Sequence, residues 1–106
     1  MKRLDLTHIA RADLDAIRRY SLRTWGQSRT ASYMDELRDT LKGLVHGTAV
    51  SRSRDDLRDG LHMAVSGRHC IFFEADDSRV VVVRILHDRM DYQRHLGAAA
   101  DTDGDD

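Results

Sequence analysis

The sequence is poor in cysteine and has no long apolar run, and each absence excludes a class of protein. Cys70 is the only cysteine of the 106 residues, so the chain can form neither an internal disulfide nor a thiolate cage for zinc. The longest strongly apolar run is residues 80–83, far short of the roughly 18 residues of a membrane-spanning helix. Charged residues occupy the N-terminal segment where a secretory signal would be apolar. We therefore expect one small cytoplasmic domain with no membrane contact.

A strong excess of charge of either sign is also missing. Seventeen basic and 18 acidic residues leave a formal net charge of -1. The last ten residues, 97–106, carry four aspartates and no base, so residues 1–96 are mildly basic. Dedicated nucleic-acid-binding domains are far more basic than this. We predict a folded domain over residues 1–96, a disordered acidic tail over 97–106 and no sequence-specific binding of nucleic acid.

Motifs for nucleotide, metal and serine chemistry are absent as well. The glycines never occur in the GxGxxG or GxxxxGK[ST] order that cradles phosphates, and no GxSxG elbow is present. The six histidines include no HExxH pair, and a CxxC pair is impossible with one cysteine. We expect no metal site and no cofactor.

Two segments place apolar residues at helical spacing. Thr7 is suited to cap a helix over residues 8–24, which Gly26 then ends. A second helix is predicted over residues 28–45, with its end at Gly47. Because few residues join them, the two helices must lie antiparallel as a helical hairpin, and a flat element must cover their remaining apolar surface.

The apolar period changes to two after Gly60, which predicts strands at residues 61–65, 69–74 and 80–86. Short turns join them into an antiparallel meander, residues 2–6 suit an extra strand, and residues 89–96 suit a short terminal helix. The residues between Thr48 and Gly60 are predicted to form a surface loop. The predicted fold class is therefore α+β, with a helical hairpin packed on a small antiparallel sheet in the order β-α-α-β-β-β.

One face of the predicted sheet has no obvious cover. In one register of the two strands, Phe72 and Cys70 share this face with Val80 and Val82. Two interpretations remain open. Either the short helix after Arg89 covers the face, or the face is a binding surface.

A polar cluster is predicted where two strands meet. In an antiparallel pair, the start of one strand lies beside the end of the next, which brings together Arg68, His69, Arg84, His87 and Arg89. Such groups can bind a phosphate, or supply an acid and a base if Tyr92 and His95 join them. The alternative is a structural role, in which His87 closes the core by bonding Asp91 or a backbone carbonyl.

The order of motifs along the chain resembles a known family. ADLDAI at 12–17 and WG at 25–26 are followed by GRHCIFF at 67–73 and VRILHDRMD at 83–91. The last two motifs are the specific ones. Together they resemble the ParE branch of the ParE/RelE toxin superfamily over most of the chain. Departures are small: the loop before Asp55 lacks the proline frequent in relatives, and Phe73 stands where many have tyrosine.

The resemblance implies a toxin of a type II toxin-antitoxin pair that acts on DNA gyrase. It also implies a ParD-like antitoxin whose C-terminal segment folds on the toxin. The apolar residues expected at that contact are Leu14, Ile17, Trp25, Phe72, Val80 and Val82.

Two alternatives accompany the resemblance. One is ribosome-dependent mRNA cleavage as in the RelE branch, for which the candidate residues are His87, Tyr92, Arg68 and Arg84. The mild charge and the LHDRMD motif argue against it. The other is an inactive partner that only binds an antitoxin, so the expected protein is not an enzyme in two of the three interpretations.

Overall fold

The computed structural model describes residues 2–90, 92 and 94–96. Its helices and strands, in chain order, are β1 (Arg3–Leu6), α1 (His8–Trp25), α2 (Gln27–His46), β2 (Arg52–Ser53), β3 (His62–Ser66), β4 (His69–Ala75) and β5 (Arg79–His87). Tyr92 and residues 94–96 are helical. The predicted acidic tail, 97–106, lies outside the described residues. None of the helices in the described part of the chain has both the length and the hydropathy needed to cross a bilayer.

The α+β fold class and the helical hairpin are confirmed, with two changes in the sheet. The strand order is β1-β5-β4-β3-β2, and β1 pairs with β5 in parallel while the other neighbours are antiparallel. The sheet is therefore mixed rather than purely antiparallel. The predicted loop between Thr48 and Gly60 also contributes the two-residue strand β2, which pairs with β3.

The tight hairpin follows from the residues at the helix ends. The Thr7 hydroxyl accepts a hydrogen bond from the Ala10 amide at 3.0 Å, as expected of an N-cap, and also donates to the Val83 carbonyl oxygen at 2.8 Å. Gly26, at φ +86°, separates α1 from α2 without any further linker. Because Thr7 bonds β5 as well, the same residue starts α1 and fixes it to the sheet.

The sheet separates two hydrophobic clusters. The larger cluster lies under the helices and comprises Ala10, Ile17, Leu37, Leu41, Leu44, Ala64, Ile71, Phe73, Val80, Val82 and Ile85. The smaller cluster lies on the opposite face and comprises Leu61, Met63, Cys70, Phe72, Val83, Leu86 and Leu96. Burial of both faces explains why six of the nine residues of β5 are apolar, including the unbroken run Val80–Val83.

A β-bulge in β5 overturns the predicted alternation. Phe72 pairs with Arg84 but Phe73 pairs with Val82, so β5 holds one extra residue at this point. An extra residue reverses which side of the sheet the following side chains face. Val80 and Val82 consequently pack under the helices, whereas Phe72 packs on the opposite face. The prediction that these three residues share one face was wrong.

The sheet face away from the helices is covered. Phe72 is fully buried there, with the Tyr92 ring edge-on to it at 5.1 Å between centroids. Leu57 packs on the same cluster, and Leu96 is fully buried in it. Of the two interpretations left open by the sequence, cover by the terminal segment is correct.

Asp13 fastens α1 to β5 beside the bulge. Its carboxylate accepts two bonds from the Arg84 guanidinium, at 2.9 and 3.1 Å, and a third from the Ile85 amide at 3.0 Å. Both side chains of the ion pair are only 15% exposed. A forked pair of this kind is stronger than a surface contact, and loss of one partner leaves the other desolvated and unpaired.

Replacing Asp13 with Ala is expected to lower the free energy of unfolding by about 2–4 kcal/mol, because Arg84 and the Ile85 amide lose a shared charged acceptor. Asp5→Ala is the matched control, since Asp5 pairs with Arg3 and Arg79 at the surface and exposed pairs contribute under about 1 kcal/mol. Urea unfolding at pH 7 measures both variants. Equal losses in the two variants would contradict a special role for Asp13.

Candidate functional site: a groove between the hairpin and the strand ends

An open groove of about 530 Å³ lies between the helical hairpin and the ends of β4 and β5. Helix α1 contributes Ala16, Ile17, Tyr20, Ser21 and Trp25, and α2 contributes Tyr33. The strand ends and adjoining turns contribute Arg68, His69, His87, Arg89 and Met90. Apolar and aromatic side chains thus line a concave surface that also carries cations and two imidazoles, as is common in binding sites.

Tyr33 joins the hairpin to the β3–β4 turn. Its hydroxyl oxygen is hydrogen-bonded to Nδ1 of His69, accepts from the Arg68 amide at 3.2 Å and lies 3.3 Å from the Ser66 carbonyl oxygen. Since a phenol has one hydrogen, Tyr33 donates to Ser66 when Nδ1 of His69 carries its proton, and to His69 otherwise. Burial raises the pKa of Tyr33, so the phenol keeps its proton at neutral pH.

The turn beneath Tyr33 depends on Gly67. This residue has φ +58°, and a Cβ at its position would lie 2.5 Å from the Tyr33 ring. Glycine therefore satisfies both the left-handed backbone and the close approach of the aromatic ring.

Two histidines from neighbouring strands meet in the groove. The rings of His69 and His87 are edge to face with 5.4 Å between centroids. Burial, and then the proximity of His87, lower the pKa of His69. His69 is accordingly neutral at neutral pH.

His87 does not close the core as the structural interpretation suggested. Its side chain is 37% exposed, and Nδ1 lies 3.1 Å from both the Asp88 carboxylate and the Arg89 amide. Nδ1 accepts from the amide when unprotonated and donates to Asp88 when protonated. Asp91, the other partner considered, lies outside the described residues.

A series of aromatic contacts extends from the groove to the corner of the hairpin. Tyr20 meets Trp25 at 6.5 Å between ring centroids, Trp25 meets Tyr33 at 5.8 Å, and Tyr33 meets His69 at 5.6 Å, each edge to face. Arg29 lies over the Trp25 ring at 5.1 Å. Tyr20 is 57% and Trp25 39% exposed, so this end of the groove presents aromatic surface to a partner.

The four residues considered for nuclease chemistry do not converge. Arg68 and His87 line the groove, although Arg68 also pairs with Asp88 at 2.9 Å. Arg84 is held by Asp13 of α1. The fourth, Tyr92, packs on the opposite face of the sheet.

The hydroxyl of Tyr92 is hydrogen-bonded within the fold. Its hydroxyl lies 3.1 Å from Sγ of Cys70 and donates to the Asp88 carbonyl oxygen at 3.3 Å. Burial, followed by the bond to Cys70, raises the pKa of Tyr92 to about 12. Such a phenol gives up its proton less readily than an ordinary tyrosine. Among the described residues, no group of three or more histidine, cysteine, aspartate or glutamate side chains is arranged to hold a metal ion.

The six residues expected at an antitoxin contact divide into two groups. Ile17 and Trp25 line the groove, and Leu14 is half-buried against the helix-side core. The remaining three, Phe72, Val80 and Val82, are no more than 1% exposed. Their selection rested on an uncovered sheet face, which the bulge and the terminal segment remove. Sequence reasoning missed the groove residues Tyr20, Tyr33 and Met90, for which a periodic pattern gives no functional signal.

Comparison with known proteins identifies the family. The family model of the ParE toxin of type II toxin-antitoxin system, parDE, matches residues 4–92. The chain belongs to this ParE toxin family. Toxin ParE1 of Caulobacter vibrioides is 35% identical over 97 residues, which are 92% of this chain and 100% of that protein. Toxin ParE of Escherichia coli is 34% identical over 92 residues, 86% of this chain and 89% of that protein.

A solved structure supports the fold of this ParE-family chain. A chain from the "Chromosomal ParDE TA system from P. aeruginosa" superposes with a TM-score of 0.67 at 22% identity, covering 82% of this chain and 96% of that one. The family model and the two relatives confirm the resemblance inferred from the GRHCIFF and VRILHDRMD motifs. Gly67 and His69, both within the first motif, help to shape the groove of this chain.

Gly67→Ala is expected to cost about 2–4 kcal/mol of stability, because the new methyl group adds a clash with Tyr33 to the backbone strain at φ +58°. Gly60→Ala is the control, because Gly60 has φ +78° but a Cβ at its position meets nothing within 4 Å. This variant is expected to lose only the stability that backbone strain removes, about 1–2 kcal/mol.

The clash itself is tested by adding Tyr33→Ala to each glycine variant. In that background, chemical denaturation is expected to show equal costs for Gly67→Ala and Gly60→Ala. A larger cost at Gly67 that persists without the Tyr33 ring would show that something other than this contact limits the turn.

Proposed function

We propose that this ParE-family toxin inhibits DNA gyrase by binding it, and that a ParD-like antitoxin neutralises it. The match of the family model over residues 4–92 is the observation that carries the proposal. The LHDRMD motif, characteristic of the gyrase-directed branch by resemblance, supports it. This motif ends β5 and supplies His87, Arg89 and Met90 to the groove.

The geometry of the groove supports inhibition by binding rather than RNA cleavage. Cleavage requires a base and an acid on either side of the reacting phosphate, with cations on its oxygens. Of the four residues considered for cleavage, Arg68 and His87 line the groove. Arg84 and Tyr92 are engaged elsewhere. Two of the four candidates for RNA cleavage therefore lie away from the groove, which supports a binding surface over an active site of that kind.

The groove suits an amphipathic segment of an antitoxin. Apolar side chains of such a segment can pack against Ile17, Trp25 and Met90, while its acidic side chains can meet Arg89 at the rim. Segments that fold on binding commonly use preformed grooves of this kind. In this proposal the antitoxin neutralises the toxin by covering the groove.

Purified toxin added to gyrase, relaxed plasmid and ATP is expected to cause cleaved DNA to accumulate once the gyrase is denatured. Preincubation of the toxin with its antitoxin serves as the control and should prevent this accumulation. Messenger RNA cut in a translating extract, with gyrase unaffected, would instead support a RelE-like nuclease. Failure of both assays, with antitoxin binding intact, would support an inactive partner.

Trp25→Ala is expected to weaken antitoxin binding about 30-fold or more, since buried tryptophan anchors commonly contribute over 2 kcal/mol to an interface. Leu22→Ala is the matched control. Leu22 lies on the same helix and is exposed to 40%, close to the 39% of Trp25, but does not line the groove. Calorimetry or biolayer interferometry measures both affinities. Equal losses would show that the antitoxin does not use the groove.

A further inference from the structure

Among the residues that the structure describes, the arginines of α1 differ from most other arginines in having no acidic partner. Seven arginines form ion pairs with carboxylates, namely Arg3, Arg38, Arg54, Arg58, Arg68, Arg79 and Arg84. Within the described part of the chain, no carboxylate lies in ion-pair distance of the four arginines of α1: Arg11, Arg18, Arg19 and Arg23. Their positive charge is therefore available to a partner molecule.

These four side chains form one exposed face. Arg11 and Arg18 are seven residues apart, Arg19 and Arg23 are four apart, and all are exposed. Such spacings align the members of each pair along the helix. At 3.6 residues per turn the two pairs lie roughly 100° apart, so the four side chains spread over about 140° of the helix surface. At 1.5 Å per residue the face is about 18 Å long. Asp15 is the one acidic residue among them that is exposed, so positive charge dominates the face.

We propose that this arginine face of α1 binds the phosphate backbone of double-stranded DNA. An 18 Å face spans about five base pairs of a duplex at 3.4 Å per pair, and the arginine fork matches phosphate oxygens in geometry. The proposal extends the proposed function and rests on it for its biological meaning, since a gyrase inhibitor acts beside DNA.

The chemistry of the face favours DNA over an acidic protein. Protein interfaces bury a core of apolar and aromatic side chains. Between the arginines stand the short side chains of Ala12 and Asp15. The larger apolar side chains beside them are Leu22 and Met34, which line an open pocket with Arg18. A duplex backbone needs no apolar contact, because charge and hydrogen bonding supply its affinity.

The arginine face adjoins the groove without lining it, since the groove residues Ala16 and Tyr20 precede Arg23 by seven and three positions. Ile17, Tyr20 and Trp25 line the groove from the same helix, but the four arginines do not. Four cations on a chain of net charge -1 support only weak binding without sequence preference, with a Kd on the order of 10⁻⁴–10⁻⁶ M at physiological salt. This agrees with the expectation that no specific nucleic-acid site is present.

The test is fluorescence anisotropy of a labelled 20-base-pair duplex of arbitrary sequence, titrated with the full-length toxin from 50 to 200 mM NaCl. The variant is Arg18→Ala with Arg19→Ala and Arg23→Ala. The control is Arg3→Ala with Arg38→Ala and Arg79→Ala, which removes the same charge from three exposed arginines that already have acidic partners. Circular dichroism and urea unfolding verify that both variants fold.

The α1 variant is expected to raise the Kd at 50 mM salt at least tenfold. The slope of log affinity against log salt concentration should become less steep by about 2.7, which is 0.9 for each lost phosphate contact. The control should remain within threefold of the parent. Equal effects in the two variants, or no binding by the parent, would overturn the proposal. So would an α1 variant that loses antitoxin binding while keeping its affinity for DNA, because the face would then serve an acidic protein.

The gyrase cleavage assay separates this proposal from the proposed function. A toxin that traps gyrase without binding the duplex would disprove the DNA contact alone. A toxin that binds the duplex through α1 but leaves gyrase unaffected would disprove the gyrase target while supporting the DNA contact.

Discussion

The attachment of α1 to β5 through Asp13 is the constraint on which the groove depends. One carboxylate receives the Arg84 fork and the Ile85 amide, just after the strand has gained its extra residue. The bulge changes which face the later residues of β5 present, and so Ile85 joins the core under the helices and His87 reaches the groove. Without the bulge, continued alternation from Val82 would direct these side chains to the opposite side. The ion pair and the bulge therefore act together, since one positions the helix and the other positions the strand end that faces it.

Several features of the fold followed from the sequence because single residues decide them. The Thr7 cap and the glycines at 26 and 47 marked the ends of the helices to within one or two residues. The bulge could not be predicted in this way. Residues 80–83 are all valine. In an unbroken apolar run, polar and apolar residues do not alternate, so the pattern cannot show where the side chains change face. The parallel pairing of β1 with β5 could not be predicted either. The two strands are far apart in the sequence, and no short turn joins them to fix their relative direction.

Part of the candidate site could be predicted from the pairing of the strands. Antiparallel pairing correctly placed Arg68 and His69 beside His87, because strand register brings them together whatever the helices do. The contacts of Tyr33 could not be predicted from strand register. Its importance lies in bonds to residues 33 to 36 positions away, across the space between α2 and the β3–β4 turn. Arg84 illustrates the converse error: its place in a basic cluster suggested phosphate binding, whereas a buried partner on α1 occupies it.

Helix α1 carries three surfaces, and their separation bears on how an antitoxin neutralises the toxin. One side packs on the sheet through Ala10 and Ile17, a second lines the groove through Tyr20 and Trp25, and a third holds the four exposed arginines. The Asp13 contact fixes the helix to β5, and a packed interior transmits little movement unless an element has a second stable arrangement. An antitoxin in the groove would therefore leave the arginine face in place. Under the proposed function, neutralisation then follows from steric exclusion of gyrase from the groove, with no need for a change in the shape of the toxin.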